Sequence, residues 1–258
     1  LNNVIHILPA LNKIRHISVI GLTAVFIILV IESCSTARNT AATRWWQAFN
    51  SRYNTYYNGA VAYVDGSLEK ENGNHDNYTD FIPLYTVRNK NSKELGKANF
   101  DRAILKAEKV IDRHSIKQRP QWKSNRRKTD RDREWLSRKE YNPFMWKAWM
   151  LLGRSQFHEG NLDNAISTFA YMSMLYRTQP AIYSRAQAWL AKCYIENDLA
   201  YDAEDVIRNN RRDSIPWQAR KDWDLALADY YLLTHDYKSA IPYLRNVIRR
   251  EKRRKQKA

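Results

Sequence analysis

The apolar residues near the start of the chain form one long run that contains no charged residue. It extends from Ile17 to Ile31 and follows two cations, Lys13 and Arg15. A positive segment before an apolar run of this length is typical of an export signal. The run is short for a membrane-spanning helix, which takes about 20 residues. We therefore predict an export signal peptide over residues 1–33.

Beyond the signal, apolar side chains recur at intervals of three or four residues. The spaced residues are Trp45, Trp46, Phe49, Tyr53, Tyr56, Tyr57, Ala60 and Val61. This period predicts a helix with a single apolar stripe. A polar loop and an extended segment before Pro83 are expected to follow it, and helical spacing returns from Ala98 to Ile111. We assign residues 34–96 to a lead-in of helix and loop, and residues 97–140 to a helix followed by a basic insertion.

From Tyr141 onward the pattern repeats. The two recurring columns are Leu152, Leu190 and Leu227, and Ala165, Ala203 and Ala240. In both columns the members are separated by 38 and then 37 residues. The first copy also matches the W-x2-L-G…A-x3-F pattern of tetratricopeptide repeats, from Trp149 to Phe169. We predict an all-α fold, with three tetratricopeptide-like helix pairs over residues 141–258. The last of these repeats is expected to be truncated at its C-terminus. An ordinary helical bundle with accidental spacing is the alternative.

The composition excludes several classes of protein. Only 7 glycines and 7 prolines occur in 258 residues, which argues against an all-β sandwich and leaves no glycine-rich phosphate loop. The four histidines after the signal are not spaced with a second His or Cys as metal ligands are. No nucleophile or metalloprotease motif is present. We therefore expect no enzyme activity, no cofactor and no small-molecule substrate.

One of the two cysteines has a distinctive context. Ile31-Glu32-Ser33-Cys34 resembles a bacterial lipobox, in which the Cys thiol accepts a diacylglycerol group and the signal is cleaved before it. Two or more acyl chains are sufficient for stable membrane anchoring. We predict lipidation of Cys34; an uncleaved signal anchor, with Cys34 incidental, is the alternative. The other cysteine, Cys193, is expected to be a small core residue.

Most of the net charge of +16 lies in two short stretches. Residues 117–139 contain ten basic and three acidic residues, and residues 249–258 contain seven basic and one acidic. Arg126, Arg127 and Lys128 form the centre of the first stretch and are candidates for docking an acidic protein partner. A solvated loop and contact with anionic lipid headgroups are the alternatives. Nucleic acid is not expected, because an exported chain meets no genome.

The repeat register also predicts a binding groove on the first helices of the three pairs. Its residues are Lys147, Met150, Arg154, Phe157, His158, Arg185, Lys192, Asp222 and Asp229. Cations cluster in the first two copies, carboxylates lie in the third, and apolar groups lie between them. Such a surface suits an extended peptide or a helix with acidic groups at one end. The alternative is that further C-terminal helices of the same chain cover the groove.

Several segments together resemble one family. They are Asn39–Arg44, Phe49–Asn54, Asp76–Asp80 with Ile82–Tyr85, and Glu140–Phe144. With the lipobox and the repeats, they resemble the tetratricopeptide lipoproteins of Bacteroidota called PorW or SprE, over nearly all of residues 34–258. The resemblance implies a longer outer-membrane lipoprotein that faces the periplasm. It also implies a scaffold of type IX secretion and gliding motility that connects the periplasmic ring to the outer-membrane translocon. A generic envelope chaperone and the N-terminal part of a periplasmic enzyme are the alternatives.

Overall fold

The computed structural model describes residues 36–79, 82–123, 125–210 and 214–255. The predicted signal peptide and Cys34 lie outside these ranges. Within them the secondary structure is entirely helical, which confirms the predicted all-α class. No helix in the described ranges is both long and apolar enough to cross a membrane.

The lead-in consists of two helices separated by a kink. Helix α1 (Ala41–Ser51) begins with a capping box, in which Thr40 and Thr43 each accept a hydrogen bond from the other's backbone N–H. The chain leaves helical geometry at Tyr53 and at Asn54, whose φ is +66°. Helix α2 (Tyr57–Gly73) follows. The apolar period of residues 45–61, which predicts one helix, is therefore divided between two.

Helix α3 (Lys97–His114) lies against α2 at close range. Two glycines of α2 allow this approach. A Cβ on Gly66 would lie 3.1 Å from the carbonyl oxygen of Gly96, and one on Gly59 would lie 2.9 Å from the Cβ of Lys106. The two helices run antiparallel and pack on the first repeat helix through α3.

The basic insertion leaves and rejoins the core at one buried carboxylate. Glu140 accepts hydrogen bonds from the backbone N–H groups of Ile116 (2.9 Å) and Asn142 (2.8 Å), and from the hydroxyl of Ser115. Burial raises the pKa of Glu140, and these hydrogen bonds act against that shift. Between the two ends, the insertion forms the short helix α4 (Asp130–Ser137). The loop is thus fixed at its base, where part of the Glu140–Phe144 motif lies.

The remaining residues form three helix pairs. They are α5 (Met145–Glu159) with α6 (Leu162–Leu175), α7 (Pro180–Glu196) with α8 (Ala200–Asn209), and α9 (Arg220–Leu233) with α10 (Tyr237–Lys255). Each helix packs on its neighbours in the chain, and the first helices α5, α7 and α9 also contact one another in sequence. The arrangement is that of a helical-repeat array.

Two structural columns agree with the repeat register. Ala165, Ala203 and Ala240 are all buried, as the register predicts for the small residue between the helices of a pair. A left-handed residue ends the first helix of every pair: Gly160 (φ +95°), Asp198 (φ +58°) and His235 (φ +57°). These turn residues are again separated by 38 and then 37 positions. The backbone therefore repeats with the same interval as the sequence.

Candidate partner-binding cleft

Five of the nine predicted groove residues line one open cleft. They are Lys147, Met150, Arg154, Arg185 and Asp222. The cleft has a volume of about 490 Å³ and lies between α2 and the face formed by α5, α7 and α9. Aromatic side chains complete its wall: Tyr56, Tyr63, Trp146 and Trp189. These five predicted residues therefore share one cleft, and most of its aromatic wall was not part of the prediction.

Arg154 lies at the junction between the lead-in and the repeats. Its Nη2 donates a hydrogen bond to the hydroxyl of Tyr63 (2.9 Å) on α2. Its guanidinium also lies over two rings, 4.8 Å from the centroid of Tyr63 and 5.1 Å from that of Trp189. The Nε of Arg154 is buried and has no hydrogen-bond acceptor among the described residues. Arg154 therefore holds the lead-in and the repeats together at the cleft through its hydrogen bond and ring contacts.

Asp222 organises the opposite end of the cleft. Its carboxylate accepts a hydrogen bond from the indole N–H of Trp189 (3.1 Å) and forms an ion pair with Arg185 (3.3 Å). The guanidinium of Arg185 also lies 5.5 Å from the ring centroid of Trp146. Lys147 lies 5.6 Å from the same ring and is exposed. Three cations against one carboxylate leave the cleft positively charged, with aromatic faces between the cations.

The other four predicted groove residues are not open to a partner. Phe157, Lys192 and Asp229 are buried, and the ring of His158 lies in an aromatic cage. Tyr85 from the lead-in packs edge-on against Phe157 at 5.2 Å. The prediction of a single open groove is therefore corrected: the lead-in covers part of it. The expected alternative cover was C-terminal helices, whereas the covering residues precede the repeats.

The covered part of the repeat face contains two side chains whose pKa values are strongly lowered. Burial, with the nearby cations Arg154, Lys70 and Lys192, lowers the pKa of His158 to about 3. Burial lowers the pKa of Lys192 to about 8, against the opposing effect of Asp222. The Nζ of Lys192 lies 4.0 Å from the ring centroid of Trp189 and has no hydrogen-bond acceptor among the described residues. The aromatic ring partly compensates the buried charge.

A second cross-contact fixes the lead-in in place. Lys70 of α2 is buried and donates a hydrogen bond to the backbone carbonyl of His158 (2.6 Å). Its ammonium also lies 5.9 Å from the ring centroid of Phe100. The lead-in is therefore joined to the repeats by cation–aromatic contacts and hydrogen bonds around the cleft.

The predicted basic site lies elsewhere. Arg126, Arg127 and Lys128 are exposed, and none of them lines the cleft. Arg126 stacks on Trp122 (4.9 Å to the centroid) and forms a weak ion pair with Asp132 (3.7 Å). Arg127 and Lys128 project into solvent at a turn before α4. The structure gives this triad an ordered base in the contacts of Arg126.

Catalytic and metal chemistry finds little support in the described residues. They contain no cluster of three or more His, Cys, Asp or Glu side chains that could hold a metal ion. Cys193 is fully buried, and burial raises the pKa of its thiol well above the usual range. A thiol of this kind is a core residue and a poor nucleophile. The position expected for Cys193 from the sequence is confirmed.

Sequence reasoning missed the aromatic residues of the cleft. Trp189 directly precedes Leu190 of the repeat column, and Tyr63 lies seven residues after Tyr56 in the lead-in period. The periodic pattern could have identified both residues. Their convergence depends on how α2 packs on α5 and α5 on α7, which the spacing within each helix does not determine. A scan against protein-family models finds no match for this chain, and no curated protein matches it.

Proposed function

We propose that this chain is a non-enzymatic scaffold lipoprotein of the outer membrane, which faces the periplasm and serves type IX secretion and gliding motility. The observation on which the proposal depends is the cationic, aromatic cleft between α2 and the first helices of the repeats. The cleft is open, cationic and lined by aromatic rings, which are features of surfaces that bind protein segments. The proposed partners are the periplasmic ring and outer-membrane translocon proteins, by resemblance to the PorW or SprE lipoproteins.

The tetratricopeptide identity of the repeats is part of the proposal. Its support is the buried alanine column, the left-handed turn column and the close fit of Gly153 to Phe169, where a Cβ would lie 2.6 Å from the ring. Small-to-large pairs of this kind bring the two helices of a tetratricopeptide unit together. The interval of 37–38 residues exceeds the usual 34, and the extra residues lie in longer helices and turns.

The partner is proposed to be an extended or helical segment that carries acidic side chains. Lys147 is exposed and forms no ion pair with a carboxylate among the described residues, and Arg154 lines the same cleft. The aromatic faces of Trp146 and Trp189 provide apolar contact between the two ends. Aromatic and Arg side chains are the groups that contribute most to protein interfaces. Lipidation of Cys34 would hold this cleft close to the membrane.

The test is a pair of charge reversals in the full-length protein. Lys147→Glu with Arg185→Glu should reduce recovery of ring and translocon proteins on affinity purification, and should reduce secretion. Wild-type recovery should fall as the salt concentration rises. The matched control is Lys109→Glu with Lys238→Glu, which changes the net charge equally at exposed sites outside the cleft. Equal recovery for both double variants, at unchanged melting temperature, would exclude the cleft as the docking site.

A further inference from the structure

We infer that the outer face of α1 lies on the lipid surface to which Cys34 is attached. The face is defined by Trp45 and Phe49 of α1, together with Tyr53 just after the helix, and is called here the aromatic ridge. The inference rests on the lipid anchor proposed above. It assigns a second membrane contact to the protein, separate from the acyl chains and from the cleft.

The aromatic ridge is exposed, continuous and preformed. The side chains of Trp45, Phe49 and Tyr53 are 65%, 45% and 52% exposed. Trp45 stacks on Phe49 with ring centroids 5.6 Å apart, and Phe49 contacts Tyr53 at 4.6 Å. Each ring thus rests on the next along the outside of α1. Adjacent exposed aromatic rings form a contiguous apolar patch of the kind that marks an interaction surface.

Helix α1 is amphipathic, but it buries its polar side and exposes its aromatic side. The residues that it buries are Thr43, Gln47 and Ser51. Gln47 hydrogen-bonds the ring of His114 (2.6 Å), and the hydroxyl of Ser51 accepts from the amide of Asn142 (3.2 Å). The polar side of α1 therefore faces the protein and its aromatic side faces outward. A helix in this orientation gains apolar burial only from something outside the fold.

The charge of this segment favours an anionic lipid surface. Between residues 36 and 64 the chain contains Arg38, Arg44 and Arg52, and no Asp or Glu. Basic residues close to a membrane are attracted to anionic headgroups. Trp and Tyr are also the residues that membrane proteins place at the boundary between headgroups and hydrocarbon. Arg52 lies 5.7 Å from the ring centroid of Tyr53 and so accompanies the ridge, whereas Arg44 packs on Trp135 (5.1 Å).

The tether from Cys34 is short enough to keep α1 near the membrane surface. Helix α1 begins at Ala41, seven residues after Cys34, and seven extended residues span at most about 25 Å. A turn at residues 36 and 37 shortens this reach further. With its anchor this close, the aromatic ridge is confined near the bilayer surface at a high effective concentration. A weak intrinsic affinity for lipid is then sufficient.

The experiment is site-specific photocrosslinking in the full-length protein in cells. Benzoylphenylalanine replaces Phe49 in one variant and Tyr201, a fully exposed residue of α8, in the control. We expect phospholipid adducts, detected by mass spectrometry, to be several-fold more abundant at position 49 than at position 201. Adducts to another protein or to a second copy of the chain at position 49, or equal lipid adducts at both positions, would overturn the inference.

The same samples separate this inference from the proposed anchor. The mass of the N-terminal peptide shows whether Cys34 is acylated. An acylated Cys34 with no lipid adduct at position 49 would overturn the aromatic ridge and leave the anchor standing. An unmodified Cys34 with lipid adducts at position 49 would overturn the anchor and leave the lipid contact of α1 standing.

Discussion

Helices α1 and α7 distribute their polar and apolar residues in opposite ways. Helix α7 lies between α6, α8 and α9, and buries Ala188, Leu190 and Ile195 among other apolar groups. Helix α1 buries Thr43, Gln47 and Ser51 and exposes its aromatic residues. Leaving a Phe-sized side chain exposed forfeits about 1.5–3 kcal/mol of burial free energy.

The difference shows what orients each helix. Helix α7 has apolar neighbours on several sides, so hydrophobic burial fixes its rotation. Helix α1 meets the polar end of α3 at His114 and the side-chain amide of Asn142 at Ser51, so hydrogen bonds fix its rotation instead. Each such bond contributes a net of about 0.5–1.5 kcal/mol. That gain is smaller than the burial forfeited by three aromatic rings, which is why we look for a surface outside the protein.

The largest expected effect is a contrast between two phenylalanines. Phe157→Ala should lower the free energy of unfolding by about 3–5 kcal/mol, because its ring is fully buried between Tyr85 and Trp189. Phe49→Ala should cost far less, since its ring is already half in water. Urea denaturation of the two variants measures the difference. Equal losses would mean that α1 is packed as α7 is, and the comparison would fail.

Acid stability should depend on His158. Its pKa is about 3 in the folded protein against 6.5 for the free side chain, so the unfolded chain binds a proton that the folded chain does not. Stability from this group is therefore lost as the pH falls from about 6.5 towards 3, by at most about 1.4 kcal/mol per pH unit. His158→Phe removes the titrating group while it keeps an aromatic ring.

The measurement is the free energy of unfolding at several pH values for both proteins. Below pH 6.5 the free energy of unfolding should change more steeply with pH in the wild-type protein than in the variant. Above pH 6.5 the two curves should run parallel. Parallel curves throughout would show that His158 is protonated in the folded state, and that the lead-in does not seal this part of the repeat face.

The fold was largely predictable because the repeats are encoded locally. The small residues Ala165, Ala203 and Ala240 and the turn residues between helices recur at a fixed interval, and each acts within its own helix pair. The left-handed positions Asp198 and His235 follow the same interval, with residue types that tolerate this geometry. Local signals of this kind need no knowledge of distant contacts.

The lead-in was less predictable because its placement depends on distant partners. The period of Trp45, Phe49 and Tyr53 indicates a stripe but not the side on which it faces. That side is set by Gln47 meeting His114, 67 residues away. The cover of the groove by Tyr85 comes from a segment with no helical period at all. The repeat register therefore places the cleft cations on the same face as Lys192. It cannot show that Lys192 alone among them is fully buried.

An apolar residue on the buried side of α1 should lower the stability of the protein. Gln47→Leu would leave the ring nitrogen of His114 without its acceptor or donor in a half-buried site, at a cost of about 1–3 kcal/mol. Phe49→Leu, two residues away on the outer side, is the matched control and should change the free energy of unfolding little. Thermal and urea unfolding of both variants provide the comparison. A stabilised Gln47→Leu protein would show that hydrophobic burial, and not hydrogen bonding, orients α1.

The smallest expected effect on stability is at the aromatic ridge itself. Trp45→Gln with Phe49→Gln should change the free energy of unfolding by no more than about 0.5 kcal/mol, the range usual for exposed positions away from caps and networks. Removal of the two rings leaves the hydrogen bonds of Gln47 and Ser51 untouched, so α1 keeps its place. The unlipidated Cys34→Ala form of this variant should also sediment less with anionic vesicles than Cys34→Ala alone, by several-fold. A large loss of stability would mean that the rings pack within the protein. Unchanged stability together with unchanged sedimentation would mean that the outward face of α1 has no role at the membrane, and the contrast with α7 would be one of exposure alone.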